Sequence, residues 1–370
     1  MTGARAASTT RLSVEQFLPT LYGRDAVGNH TLATREALRA EGVDCRVWAE
    51  DLDPRFRLSA RRYRRYAAGR WQREARPAVH LYQASTGTDG LVDFLLRRPE
   101  PLLAYYHNLT PPAFYDPFDG VAAEQLRRGR EELERLAGRL HVAFAASEFS
   151  AAELRAAGAR DVRVVPPFTP VPGAPDGRHL RALRDSKQGL DLLFVGRVAP
   201  HKGHLRLLRT LALLRSELDV PVRLFVVGGP GPHSYIDSLL LTVGRLGLEG
   251  SVTFTGAVSD GRLLAHYEAA DLFLSLSEHE GFGIPLLEAM RAGLPVVACE
   301  AGAVGETLGG AGVVLETGEP AVVAEVVARL RQDEDLRRQV VERQRARALA
   351  LDAVDRVGAL TAALREVGEG

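Results

Sequence analysis

At 370 residues, 46% of them hydrophobic and 25% charged, the chain is long enough for two domains with separate cores. Its 47 basic and 47 acidic residues cancel, which argues against a dedicated nucleic-acid binder. No basic start leads into an apolar run, so no secretory leader is expected. No apolar run approaches the roughly 18–20 residues of a membrane-spanning helix. Cys45 and Cys299 lie far apart in apolar, strand-like segments and fit buried thiols in a reducing cytoplasm. All but two of the basic residues are arginine, a bias that suits a GC-rich bacterial genome. The two exceptions, Lys187 and Lys202, invite the question of what a compact ammonium does that a planar guanidinium does not.

In chain order, a first strand is expected near Ser13–Leu18, less apolar than usual because it carries Glu15 and Gln16. Gly28-Asn29-His30-Thr31 precedes a helix that Gly42 ends, and Val43, Cys45, Val47 and Ala49 then alternate as a strand would. The segment Arg55–Arg76 holds nine arginines against one acid, Glu74. It reads as a solvated helical face, or as a patch for a phosphorylated acceptor or an anionic membrane surface. Leu102–Tyr106 and Val142–Ala146 are further strands, and Pro166–Gly177, with five prolines and two glycines, is the interdomain linker.

After the linker, short apolar runs at Asp191–Val195, Val222–Val227, Val252–Phe254, Leu272–Leu276, Pro295–Cys299 and Val313–Leu315 suit buried parallel strands. Helical patterns lie between them: Leu207, Leu211 and Leu214 follow Gly203 at i, i+4, i+7, and Ile236–Leu246 carries a similar stripe. Ala321–Leu330 and a last helix near Leu351–Val367 complete the chain. The expected architecture is α/β, two Rossmann-like domains facing across a cleft. They comprise an N-terminal domain over residues 1–170, a C-terminal domain over 171–350, and a helix over 351–370 returning toward the first domain.

Two stretches carry chemistry. In Ser275–Met290, Glu280 is placed at a strand tip, Gly281-Phe282-Gly283 forms a tight loop, and Ile284-Pro285 opens a helix whose second turn holds Glu288. A carboxylate, a bare helix N-terminus and a second carboxylate suit a phosphate flanked by hydroxyl-bearing sugars. In Phe194–Gly203, Gly196 ends a strand and Arg197 and Lys202 follow five residues apart, the pattern of a pyrophosphate clamp.

Arg197 with Lys202, and Glu280 with Glu288, resemble the group-1 retaining glycosyltransferases (family 4, GT-B fold) from about Leu190 to Leu315, and more loosely before the linker. The resemblance implies that Arg197 and Lys202 hold the donor diphosphate and Glu280 contacts donor-sugar hydroxyls. Gly281, Phe282, Gly283 and Ile284 would approach the phosphate and sugar, Glu288 the ribose, and backbone near Gly256–Val258 the base. Gly28 resembles the family's donor-facing glycine loop, although the family commonly pairs glycines where this chain has Ala26-Val27-Gly28. His107, in Tyr105–Pro111, resembles the family's N-domain histidine, contacting the donor sugar or orienting the acceptor; His30 is either structural or a second such contact.

Other features read blandly. Gly228–Gly231 is a strand-end turn without a dinucleotide-binding fingerprint. Asp51, Asp53, Asp116 and Asp119 lack a His/Cys partner set, so no metal and no cofactor is expected. Ser85 and Ser147 lack a nucleophile elbow. The expected activity is transfer of a hexose-type sugar from a UDP-, GDP- or dTDP-linked donor to an unidentified acceptor. It would take place in the cytoplasm or at the inner face of the membrane, with no nucleic acid involved. The alternatives are a sugar-nucleotide epimerase or glycan phosphorylase of the same fold, or a non-catalytic binding protein.

Overall fold

A computed structural model describes residues 13–23, 25–69, 78–169 and 173–368. Seven parallel strands form the first sheet: β1 (Ser13–Leu21), β2 (Asp44–Leu52), β3 (Arg61–Arg62), β4 (Ala78–Ala84), β5 (Leu102–Tyr106), β6 (Val142–Ala145) and β7 (Val162–Val164). Six more form the second: β8 (Leu190–Val195), β9 (Val222–Val227), β10 (Val252–Gly256), β11 (Leu272–Ser275), β12 (Val296–Cys299) and β13 (Val313–Leu315). The first is ordered β3-β2-β1-β4-β5-β6-β7 and the second β10-β9-β8-β11-β12-β13. Strand order therefore reverses between β1 and β4 and between β8 and β11, where crevices open at the carboxyl ends of doubly wound sheets.

The crossover helices of the first lobe are α1 (Ala26–Ala40), α2 (Tyr63–Ala67), α3 (Leu91–Leu96), α4 (Gly120–Ala137) and α5 (Glu148–Ala156). Those of the second are α6 (Gly177–Asp185), α7 (His204–Glu217), α8 (His233–Arg245), α9 (Asp260–Ala269), α10 (Ile284–Ala292), α11 (Val304–Leu308) and α12 (Pro320–Gln332), with α13 (Glu334–Asp352) and α14 (Arg356–Gly368) at the end. Leu207, Leu211 and Leu214 of α7 are all buried against the second sheet, as their spacing predicts.

The first strand lies where it was expected, and two other elements differ from the sequence reading. Glu15 and Gln16 do not weaken β1, because both find partners inside: Glu15 accepts from the Trp48 indole and Arg46, and Gln16 bonds Thr31 and Gln83. Gly28 does not precede a helix; α1 already starts at Ala26, capped by Asp25, whose carboxylate accepts from the Gly28 N–H at 3.1 Å. The expected last helix is α14, and before it stands another, α13, that the sequence reading did not give. Asp333 caps α13 by accepting from the Leu336 N–H at 2.9 Å, with Glu334 and Asp335 in the first turn, where acids favour a helix start. Val340, Gln344, Ala348 and Leu351 form its buried stripe.

Leu360, Ala363 and Leu364 of α14 join the core that contains Val14 and Leu38 of the first lobe, so the chain's end returns there. Arg356 fixes that return. Its guanidinium, partly stripped of water, donates to the carbonyls of Pro166 and Pro167 in the connecting segment at 3.2 Å and to Leu351 at 2.7 Å. Arg291 of α10 ties Thr169 of the same segment to Asp352. Arg356→Ala strands these carbonyls and is expected to lower the unfolding free energy by about 2–3 kcal/mol, measured by urea denaturation.

Candidate active site

The loops that follow β8 and β11, the two strands at the second crevice, are locked together. After β8 the chain makes a 3-10 turn, Pro200–Lys202, and enters α7 through Gly203. Gly203 has φ +68°, and a Cβ there would sit 1.9 Å from the Leu276 carbonyl oxygen, so no other residue fits against the β11 loop. Glu280 is not at the strand tip as the sequence suggested: β11 closes at Ser275, and Glu280 lies five residues on. Its backbone is held there by Gly302 (φ +61°), whose missing Cβ would meet the Glu280 carbonyl at 2.3 Å, and by the Ala303 N–H, which donates to that carbonyl at 2.9 Å.

These constraints bring Lys202 Nζ to 2.8 Å from both carboxylate oxygens of Glu280. The two side chains are 18% and 13% exposed, a pair withdrawn from water yet open to a ligand. Gly283, in the left-handed conformation, caps α10 without any side-chain oxygen; Pro285 has no N–H and the Leu286 N–H turns back to the Gly283 carbonyl at 2.9 Å, so the Ile284 N–H is what the first turn offers an anion. Phe282 turns its ring into the core, and its carbonyl accepts from the Thr307 hydroxyl. Glu288 accepts from the Tyr267 hydroxyl at 2.8 Å. Val258 lies half-buried beyond β10. Gly196 ends β8, its carbonyl 2.0 Å from where a Cβ on Gly228 would lie, so the Gly228–Gly231 turn packs on this loop. Arg197 is exposed, donates to Pro230 O at 3.2 Å, and its charge acts on Asp25 and Tyr115 of the opposite lobe.

The first lobe closes over this edge. A Cβ on Gly281 would meet the His107 carbonyl at 2.7 Å and Asn108 Cβ at 2.5 Å. The Gly281 carbonyl accepts from Ser147 Oγ at 2.8 Å, and Glu306 of α11 accepts from the Glu148 and Phe149 N–H groups at the start of α5. Asn108, at φ +76°, gives its amide N–H groups to Ser150 and Glu153 and accepts from His279 Nε2 at 2.7 Å. His201 packs against Phe114 and Tyr115. Burial pushes His107 down to about 3 and His279 to about 4, so both rings are neutral at physiological pH.

The structure thus gathers Lys202, Glu280 and Gly281–Gly283 in one place, with His107 across the lobe boundary and Arg197 on the adjoining loop. Gly28 is packed inside α1, where a Cβ would press on Leu21 at 2.8 Å. His30 uses both ring nitrogens internally: Nδ1 accepts from the Phe168 N–H of the connecting segment at 3.0 Å, and Nε2 lies 3.3 Å from Thr34. Asn108, Ser147, His279, Gly302 and Glu306 were missed by motif reading. The one signal was the serine spacing Ser147-x-x-Ser150, a helix cap. Asp51 pairs with Tyr22 and Arg62, Asp53 with Arg55, Asp116 with Arg127, and Asp119 caps α4. Among the described residues no three His, Cys, Asp or Glu side chains are grouped to hold a metal. Of the arginine-rich segment, residues 70–76 lie outside the described residues; Leu58 is fully exposed among the others. No described helix is long and apolar enough to cross a membrane.

Two doubly wound domains that present their ligand-binding edges to one another define the GT-B architecture. Solved structures agree: Anabaena Alr3699/HepE in complex with UDP-glucose superposes with a TM-score of 0.71 at 19% identity, over 95% of this chain and 98% of that one. Sucrose-phosphate synthase from Thermosynechococcus elongatus gives 0.73 at 18%, over 96% and 98%. Residues 179–347, which make up most of the C-terminal lobe, match the family model of the group 1 glycosyl transferases. The chain is 32% identical over 256 residues to D-inositol 3-phosphate glycosyltransferase of Kineococcus radiotolerans, covering 64% of this chain and 58% of that protein. It is 34% identical over 150 residues to a GDP-mannose-dependent alpha-(1-6)-phosphatidylinositol monomannoside mannosyltransferase of Mycobacterium tuberculosis, covering 38% of each. The matches therefore span less than two thirds of these relatives.

Two predictions follow from the geometry. Gly281→Ala, by wedging a methyl against His107 and Asn108, holds the lobes apart. It is expected to enlarge the radius of gyration by small-angle scattering and to lower kcat about 100-fold. Burial raises the Glu288 carboxyl above its ordinary 4.5, with the Tyr267 bond opposing. The folded chain then holds this proton more tightly than the unfolded one, so ionised Glu288 is destabilising at neutral pH and the penalty fades as pH falls through its folded pKa. Glu288→Gln is expected to raise Tm at pH 7.5, with the difference narrowing toward pH 4.5, in thermal denaturation followed across pH.

Proposed function

We propose that the chain transfers a hexose-type sugar from a nucleoside-diphosphate sugar to an acceptor with retention of anomeric configuration, as a family 4 enzyme. The observation that carries this reading is the Lys202–Glu280 pair, 78 residues apart in sequence and 2.8 Å apart beside the uncapped start of α10. Breaking the anomeric C–O bond develops negative charge on the departing phosphate and positive charge on the sugar ring. Lys202, which keeps a donor beyond the two bonds to Glu280, Arg197 and the α10 N-terminus stabilise the phosphate, each well-placed donor contributing about 3–4 kcal/mol. Glu280 accepts from sugar hydroxyls and Glu288 from the ribose. The departing phosphate, not a side chain, takes the acceptor's proton.

The curated relatives named above are transferases, which supports transfer over the epimerase and phosphorylase alternatives; one is named for GDP-mannose and a structural neighbour carries UDP-glucose, which supports a nucleotide-sugar donor. We place the enzyme in the cytoplasm of a bacterium. Leu58, exposed between Arg57 and Arg61, suits a peripheral contact with an anionic membrane.

A thermal-shift panel of UDP-, GDP- and dTDP-linked sugars identifies the donor, because a bound ligand stabilises as ln(1 + [L]/Kd). With that donor, Lys202→Ala is expected to lower kcat about 100- to 1,000-fold while the protein keeps its fold by circular dichroism. Full turnover by the folded alanine protein, or no stabilisation by any nucleotide sugar, would falsify the proposal.

A further inference from the structure

A buried chain of side-chain amides ends on His107. Gln16 of β1 and Gln83 of β4 have no solvent exposure. Gln16 Nε2 donates to the Thr31 carbonyl at 3.2 Å, Gln83 Nε2 donates to Gln16 Oε1 at 2.9 Å, and His107 Nε2 lies 2.8 Å from Gln83 Oε1. A backbone carbonyl only accepts, so the direction of each bond is set from the Thr31 end. Turning over either glutamine would face oxygen to oxygen in a site without water, and each lost buried bond of that kind is strongly unfavourable. Gln83 therefore presents an oxygen to His107, and the ring must answer with an N–H at Nε2.

Two further observations fix the ring. Burial keeps it neutral, so only one nitrogen carries a proton. The rings of His30 and Tyr105 pack on it at centroid distances of 4.8 and 4.7 Å, restraining its plane. Among the described residues Nδ1 has no hydrogen-bond partner, and the ring is half-buried rather than sealed. The His107 carbonyl abuts Gly281, the residue after Glu280, which puts this histidine on the donor side of the cleft.

We propose that Gln16 and Gln83 are positioning residues that hold His107 in the Nε2–H tautomer, leaving Nδ1 as an acceptor for a hydroxyl of the donor sugar. This rests on the glycosyltransferase reading for the ligand, but not for the tautomer. The opposite tautomer would point an N–H at the sugar and leave its hydroxyl without an acceptor, so a relay starting in α1 sets what the site recognises.

The test uses the full chain with 15N-labelled histidine rings and long-range proton–nitrogen correlation spectra at pH 7.5, the His107 signals being assigned by their loss in His107→Asn. The expected spectrum shows His107 protonated on Nε2 alone. Gln83→Leu, which removes the acceptor at similar size, is expected to give a mixture of tautomers and to lower kcat/KM about tenfold. An Nδ1–H or doubly protonated His107 in the unmodified protein overturns the proposal. So does an unchanged His107 spectrum in Gln83→Leu, or a changed spectrum with unchanged kcat/KM. If the leucine protein does not fold, the spectrum of the unmodified protein decides alone. Because the spectrum needs no turnover, failure of the protein to transfer sugar sinks the transferase reading and leaves the tautomer result standing.

Discussion

The ion pair between Lys202 and Glu280 is the constraint on which the rest of the second lobe's edge depends. Two charges 18% and 13% exposed have lost much of their hydration, and they persist only because each has a partner at hydrogen-bonding distance in a fixed geometry. That geometry is supplied by backbone. Gly203 lets the β8 loop close on Leu276, and Gly302 lets the β12 loop close on the Glu280 carbonyl. Three loops from three strands that are neighbours in the sheet, β8, β11 and β12, are thereby assembled into one rigid cradle. The retained lysine is then intelligible. Nζ sits at equal distance from both oxygens, a point-charge arrangement, with a third N–H to spare; a guanidinium would spend its fork on the same carboxylate.

The lobe boundary is built on different physics. Among the described residues its bonds include carbonyl, amide, hydroxyl and neutral imidazole groups, with the Glu306 carboxylate set against the helix start at Glu148. Such contacts are individually modest and lose little when broken into water, in contrast to the ion pair they cover. The chain crosses between the lobes elsewhere, at Pro166–Thr169 and at the break between α13 and α14, where Arg356, Arg291 and His30 tie the crossing segments together.

How much of this was legible in the sequence follows from which forces acted locally. The strands of the second lobe were readable to within one or two residues, because a parallel strand buried on both faces must be a short apolar run. Lys202, Glu280, Gly281–Gly283 and Glu288 were legible as a pattern, since each lies on a loop next to its own strand or helix. The first lobe was harder. The polar pair Glu15-Gln16 in β1 is tolerated only because Trp48, Arg46 and Gln83, all distant in sequence, satisfy it. Gly28 looked like loop because nothing in Ala26-Val27-Gly28 announces that Asp25 has already capped a helix. Asn108, His279 and Glu306 were invisible for a simpler reason: each is half of a cross-lobe pair, and neither half carries a signal alone.

The division of charge between the lobes is itself informative about chemistry. The second lobe's edge holds Arg197, Lys202, Glu280 and Glu288, whereas the first-lobe side chains around His107 are the neutral His30, Gln83 and Asn108, with the Asp25 carboxylate set apart near Arg197. A reaction whose leaving group gains negative charge needs fixed cations on one side only. A cation facing the positively polarised sugar ring from the other side would oppose the transition state. In the proposed reaction, keeping His107 neutral by burial meets that requirement, since a neutral ring brings a lone pair and no charge to the face where the sugar becomes electron-poor. The neutral surroundings of His107 are thus, in that proposed reaction, as much a part of the electrostatic arrangement as the cations of the second lobe.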